Sequence, residues 1–127
     1  MRLLLDTHAL LWWLADDARL GTRARDAVAR PTNLVFVSAV TAWEIAVKRA
    51  LGRLVAPGDI EEWLAANNFQ PLPIQIAEAV ASAELPPHHR DPFDRLLVAQ
   101  AQIRRMTIVT GDEEIARYGV SILSTAA

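Results

Sequence analysis

Short apolar runs alternate along this chain with longer stretches in which apolar residues recur at helical spacing. Runs at 3–5, 34–37, 107–109 and 120–123 are apolar or β-branched and suit buried strands. Between them, amphipathic segments predict helices near 9–15, 22–30, 39–51, 59–67, 75–84, 94–105 and 113–117. A weaker run at 69–74 is interrupted by Pro71 and Pro73, which have no amide proton to donate, so it is expected at a sheet edge. Regular alternation of strand and helix predicts an α/β fold, with a central parallel sheet covered by helices on both faces. There is no repeat, low-complexity tract or linker, and 127 residues suffice for a single domain, 1–127.

Composition narrows the function classes. With 52% hydrophobic and 22% charged residues the chain can bury a core, which sets aside intrinsic disorder. The absence of cysteine excludes disulfides and thiolate metal sites, and suits a reducing cytoplasm. Asp6 cuts short the apolar start, and nothing approaches the roughly 18 to 20 apolar residues that cross a bilayer, so a soluble, cytoplasmic protein is expected, with no membrane partner. A net charge of −2 argues against nucleic-acid binding through a global basic field. It leaves room for a nuclease, because an acidic metal site lowers the total while a few local cations meet phosphate. Lys48 is the sole lysine.

In open parallel sheets, ligands bind beyond the carboxyl ends of the strands, where strand order reverses. Asp6 ends the first strand, and Asp112 follows the fourth after Thr110 and Gly111. If those strands are neighbours, the two carboxylates face one crevice; the alternative is that each caps the helix that follows it. Ser38 is expected to cap the 39–51 helix, which places Glu44 at the edge of an apolar face with Val40, Val47 and Leu51. A carboxylate there is costly to bury unpartnered. Lys48, four residues on, offers either a surface ion pair of about 0.2 to 0.5 kcal/mol or a cation at the rim for a phosphate.

Asp91, directly before Pro92, reads as a structural N-cap, although an outer-shell role remains open to it. Asp94 starts the face that continues through Leu97, Val98 and Ala101 and is therefore directed inward. Four inward or strand-end acids repel one another unless a cation joins them. Carboxylate oxygens are hard ligands suited to Mg2+ or Mn2+, and such a metal activates water and stabilises charge on a phosphodiester. The metal-free alternative is a general base with a raised pKa.

Other residues weigh less. His88 and His89, after Pro86 and Pro87, are expected on a surface loop; His8 either contacts a substrate or orients the first helix. Trp12, Trp13, Trp43 and Trp63 are expected in packing rather than base stacking. Arg49, Arg53, Arg90, Arg95, Arg104 and Arg105 are the candidate phosphate contacts, with Arg90, Arg95 and Lys48 expected to ring the acids.

Leu4-Leu5-Asp6-Thr7-His8, Ser38 to Trp43 leading into Glu44, Asp91 to Ala99, and Thr110-Gly111-Asp112 together resemble the PIN-domain nucleases, and most of all the VapC-type toxins of toxin-antitoxin pairs. The resemblance runs the length of the chain. It implies a three-layer PIN-like fold with strand order 3-2-1-4-5, Mg2+- or Mn2+-dependent hydrolysis of RNA, a homodimer, and inhibition by a small antitoxin encoded beside it. Carried over by position, the metal-binding and catalytic acids are Asp6, Glu44, Asp94 and Asp112, with Asp6 and Asp94 as the direct ligands. Thr110 corresponds to a hydroxyl residue near the fourth acid, or caps a turn. Glu113 and Glu114 compete with Asp112 for the fourth position. A receiver domain would want a closely spaced acid pair and a late lysine, and a haloacid-type phosphatase an aspartate where His8 stands. The remaining rival is a catalytically silent PIN-fold interaction module.

Overall fold

The computed structural model describes residues 1–127. Its centre is set by β1 (Arg2–Leu5), whose consecutive leucines point to opposite faces: Leu3 and Leu5 enter one core and Leu4 the other, all fully buried. The same alternation splits β4 (Thr107–Thr110), with Val109 on the first face and Ile108 on the second. With β2 (Leu34–Ser38), β3 (Gln70–Leu72) and β5 (Ile122–Ser124) they form a parallel sheet in the order β3-β2-β1-β4-β5. The expected α/β architecture and strand order are both present. The proline-interrupted strand β3 is an edge, pairing with β2 alone.

Helices α1 (Thr7–Leu14), α2 (Thr22–Ala29) and α4 (Ile60–Ala66) bury Ala9, Leu10, Ala24, Val28 and Leu64 in the first core. The second core takes Leu97, Val98 and Ala101 from α6 (Pro92–Arg104) and Ile115 from α7 (Glu113–Ala116), while α5 (Ile76–Glu84) packs on α6. One helix serves both cores: α3 (Ala39–Ala50) gives Ile45 to the first and Val40 to the second. No helix is long and apolar enough to cross a membrane.

Boundaries differ from expectation where capping decides them. α1 and α6 each start two residues earlier, because Asp6 and Asp91 accept amide protons of the first turn. β5 begins two residues later than the apolar run, since the turn through Gly119 (φ +73) consumes Val120, and Ile108 pairs with Ile122. Gly111 is constrained for a different reason. A Cβ there would lie 2.5 Å from the hydroxyl of buried Thr125.

A buried polar network links the second core to the sheet. Glu78 is 1% exposed and accepts from the Gln75 amide at 2.8 Å, from Gln100 at 3.2 Å and from Arg104. Gln100, fully buried, accepts in turn from the Ser38 hydroxyl, whose oxygen caps α3 through the Val40 amide at 3.0 Å. Arg104 therefore serves this carboxylate, not phosphate, correcting the expectation. Burial pushes Glu78 up, but the Gln75 amide, Arg104 and Gln100 outweigh it and hold the carboxyl below its ordinary value.

A carboxyl lowered by folding contributes stability above its unfolded pKa, and that contribution fades as pH falls through the folded value. Removing the guanidinium leaves a buried charge unpaired. Arg104→Met should thus lower the free energy of unfolding at pH 7 by on the order of 3 kcal/mol. In urea denaturation the deficit should shrink as the pH is lowered and Glu78 takes up a proton.

Candidate metal centre

The strand order reverses at β1, between β2 and β4. There Leu5 pairs with Val109, and the Asp6 amide donates to the Val109 carbonyl at 3.1 Å, so the residues following the two strands emerge side by side. Asp6 leaves β1 and Asp112 leaves β4 into a crevice of about 350 Å³. Glu44 from α3 and Asp94 from α6 line the same crevice, as does Asp91. All four expected acids are brought together.

Capping and convergence coexist at these acids. One oxygen of Asp6 accepts from the Ala9 amide at 2.8 Å, and Asp112 Oδ1 accepts from the Glu114 amide at 2.9 Å. Each aspartate thereby caps a helix with one oxygen while its side chain also lines the crevice. Asp91 is the N-cap expected for α6, accepting from Phe93 at 2.8 Å and Asp94 at 3.4 Å, but it lies close enough to act on its neighbours. Glu44, only 6% exposed, has both oxygens engaged: Oε1 by the Thr7 hydroxyl at 2.6 Å and Oε2 by Lys48. The hydroxyl of Thr110, also buried, accepts from the Asp112 amide at 3.0 Å.

The electrostatics follow from crowding. Burial pushes Asp6 up against the opposing Thr110 hydroxyl and Ala9 amide. Asp94 is pushed up to about 7 by burial and then by Asp91, Glu44 and Asp112, with His89 the opposing influence. Lys48 is held above its ordinary value by Glu44 despite partial burial, with Asp91 and Asp94 adding to the effect. Asp94 Oδ1 has no hydrogen-bond partner.

The cations were less well anticipated. Lys48 lines the crevice, but none of the six arginines named as phosphate contacts does. Arg95 is spent internally: its guanidinium donates to the carbonyls of Ser82, Leu85, Pro86 and His89 at 2.8 to 3.2 Å and braces the loop before α6. Arg90 stays exposed and unpaired. Arg49 stacks over Trp63 at 4.9 Å. Of the tryptophans, Trp12, Trp13 and Trp63 pack against the first core as expected, while Trp43 is 56% exposed and meets Phe93 edge to face.

Sequence reasoning missed His89. Its neighbour His88 turns away to pack on Tyr118, but the His89 ring turns inward, with Nε2 2.8 Å from Asp112 Oδ2 and 3.1 Å from Asp94 Oδ2. Burial disfavours charge on this imidazole, but Asp112, Asp94 and Asp91 together raise its pKa. Adjacent residues on a bent loop face opposite ways, so the two histidines, read as a pair, concealed the inward one. His89, Asp94 and Asp112 place ligand atoms within 4.8 Å of one another.

Residues 3–121 match the family model described as the PIN domain. The chain is 29% identical over 118 residues to Ribonuclease VapC22 of Mycobacterium tuberculosis (strain ATCC 25618 / H37Rv), covering 91% of this chain and 90% of that one. Among solved structures it is similar in fold to VapBC2 from Rickettsia felis bound to a promoter DNA fragment (TM-score 0.68, 12% identity, 98% of each chain). DNA-bound VapBC from Salmonella typhimurium is likewise similar (TM-score 0.64, 17% identity, 98% of each chain).

The raised Asp94 has a measurable cost. Its folded pKa of about 7 lies above the ordinary aspartate value of 3.8, so the folded protein keeps a proton that the unfolded chain releases. Stability from this group is full below the lower value and declines as pH climbs to the upper one. Asp94→Asn should raise the melting temperature in EDTA by several degrees at pH 8 and by almost nothing near pH 4, as read by calorimetry.

Proposed function

Because the chain belongs to the PIN-domain family, we propose that it is an endoribonuclease, the toxin of a toxin-antitoxin pair, hydrolysing RNA phosphodiesters at a Mg2+ or Mn2+ centre formed by Asp6, Glu44, Asp94 and Asp112. The observation that carries this reading is the convergence of four carboxylates at the strand-order reversal, where burial and then the neighbouring acids push Asp94 to about 7. The ribonuclease named among its relatives, and the VapBC assemblies that share its fold, supply the substrate class and a small antitoxin as partner. Assembly as a homodimer and action in the cytoplasm belong to the same proposal.

The donor set fits a hard divalent cation, being carboxylate oxygen rather than sulfur. Asp94 Oδ1 is uncommitted and Asp6 spends one oxygen on its cap, so these two would hold the ion directly. Glu44 and Asp112, with both oxygens engaged by protein donors, would act at its periphery and orient bound water. When bound, Mg2+ or Mn2+ supplies a water of lowered pKa and offsets charge growing on the phosphodiester. The chain's own groups prepare that chemistry. Thr7 fixes the Glu44 carboxylate, Thr110 fixes the backbone of Asp112, and Lys48, 38% exposed at the rim, offers its ammonium to a phosphate oxygen.

Purified protein should cleave RNA with Mg2+ or Mn2+ and stop when EDTA is added. Asp6→Asn and Asp94→Asn should each reduce cleavage by more than ~100-fold, beyond the loss that accompanies removal of an outer-shell partner, with circular dichroism unchanged. Cleavage that persists in chelator would overturn the metal mechanism, and a chain inert under all these conditions would be a silent interaction module.

A further inference from the structure

The proposed centre leaves His89 unexplained, although the ring lies against two of its four acids. Its hydrogen bonds decide its protonation. Nδ1 accepts the Asp91 amide proton at 3.0 Å and so carries no proton of its own. The ring proton then sits on Nε2, where it is donated to Asp112 Oδ2 at 2.8 Å. A metal-ligating histidine has the reverse arrangement, with a bare nitrogen on the metal and the other ring N–H facing an acceptor. For Nε2 to ligate, a proton on Nδ1 would have to confront the Asp91 N–H.

The loop holds this orientation from both sides. The His89 amide donates to the Tyr118 hydroxyl at 2.8 Å, which donates to the Pro86 carbonyl at 2.8 Å, while Arg95 donates to the His89 carbonyl at 3.2 Å. Asp112 needs such a tether. Its side chain is 34% exposed, its Oδ1 is used to cap α7, and its Oδ2 is held by His89. Without that donor, repulsion from Asp94 and Asp6 would favour turning the carboxylate towards water.

We propose that His89 is a positioning residue whose Nε2–H ties Asp112 into the acid cluster, so that Asp112, rather than Glu113 or Glu114, completes the centre. This inference rests on the metal-centre reading above. His89 itself ligates nothing.

The test is Mn2+ binding to metal-stripped protein at pH 8, followed by electron paramagnetic resonance, with melting in EDTA as a control for folding. His89→Ala should weaken binding at least about tenfold, and His89→Gln, which restores an N–H donor, should recover most of that loss. Asp112→Asn combined with His89→Ala should cost no more than the worse single change, because both delete one unit. Wild-type affinity in His89→Ala, or losses that multiply in the double variant, would overturn the proposal. If the wild type takes up no Mn2+, the metal-centre reading itself fails, and that outcome is distinct from the other two. A measurement on the unaltered protein guards against an unfolded variant: nitrogen NMR should find His89 Nδ1 bare and Nε2 protonated, before and after Mg2+ is added. A proton on Nδ1 would refute the assignment.

Discussion

Mutual repulsion among carboxylates is the constraint around which this protein is arranged. Asp6, Glu44, Asp94 and Asp112 come from four different elements and would separate if left to themselves; Asp94 is pushed to about 7 by burial first and by the neighbouring acids after it. The fold keeps them together by giving most of them an obligation elsewhere. Asp6 and Asp112 are bound to helix amides, Asp112 being held by a histidine as well, and Glu44 lies between a threonine and a lysine. Each tether uses a carboxylate oxygen and fixes the direction of the other. The cluster is therefore pre-organised at a cost in stability, as expected where rigid placement of charge serves chemistry.

Topology makes that economy available. A strand that ends in the sheet and passes into a helix presents, at one place, an acid able to cap and the positive end of the helix dipole. When β1 and β4 are neighbours, two such places adjoin. Capping by Asp6 and Asp112 therefore does not compete with the metal-binding role proposed for them, because a carboxylate has two oxygens. Asp91 illustrates the limit of the device. It caps α6 and contributes mainly by raising its neighbour.

The fold was largely legible in the sequence because burial on both faces of a parallel sheet demands continuous apolar strands, and 3–5 and 107–109 show them without ambiguity. The four acids were legible because strand ends and inward helix faces can be read from periodicity. What escaped were properties of loops and of long side chains. His89 was hidden because the turn that separates it from His88 leaves no periodic trace, and the conformation depends on Tyr118 and Arg95, distant in sequence. The arginines misled for a related reason: Arg95 and Arg104 find partners across tertiary contacts that no local spacing encodes. Glu78 escaped as well, as an acid buried inside a helical pair and neutralised by a residue far along the chain.

The Ser38–Gln100 contact has a mechanical side. Ser38 begins the helix that carries Glu44, and Gln100 lies six residues beyond Asp94 on α6, as Glu44 lies six beyond Ser38. At about 1.5 Å of rise per residue, each acid stands roughly 9 Å from this point along its own helix. The buried hydrogen bond is then a fulcrum with two arms of equal length, and the two acids are its tips. Tilting either arm by about ten degrees would displace its tip by more than ~1 Å, a misplacement that can cost a reaction about a hundredfold. Substitutions beneath the second core, out of reach of any substrate, are thereby given leverage over the geometry at the crevice.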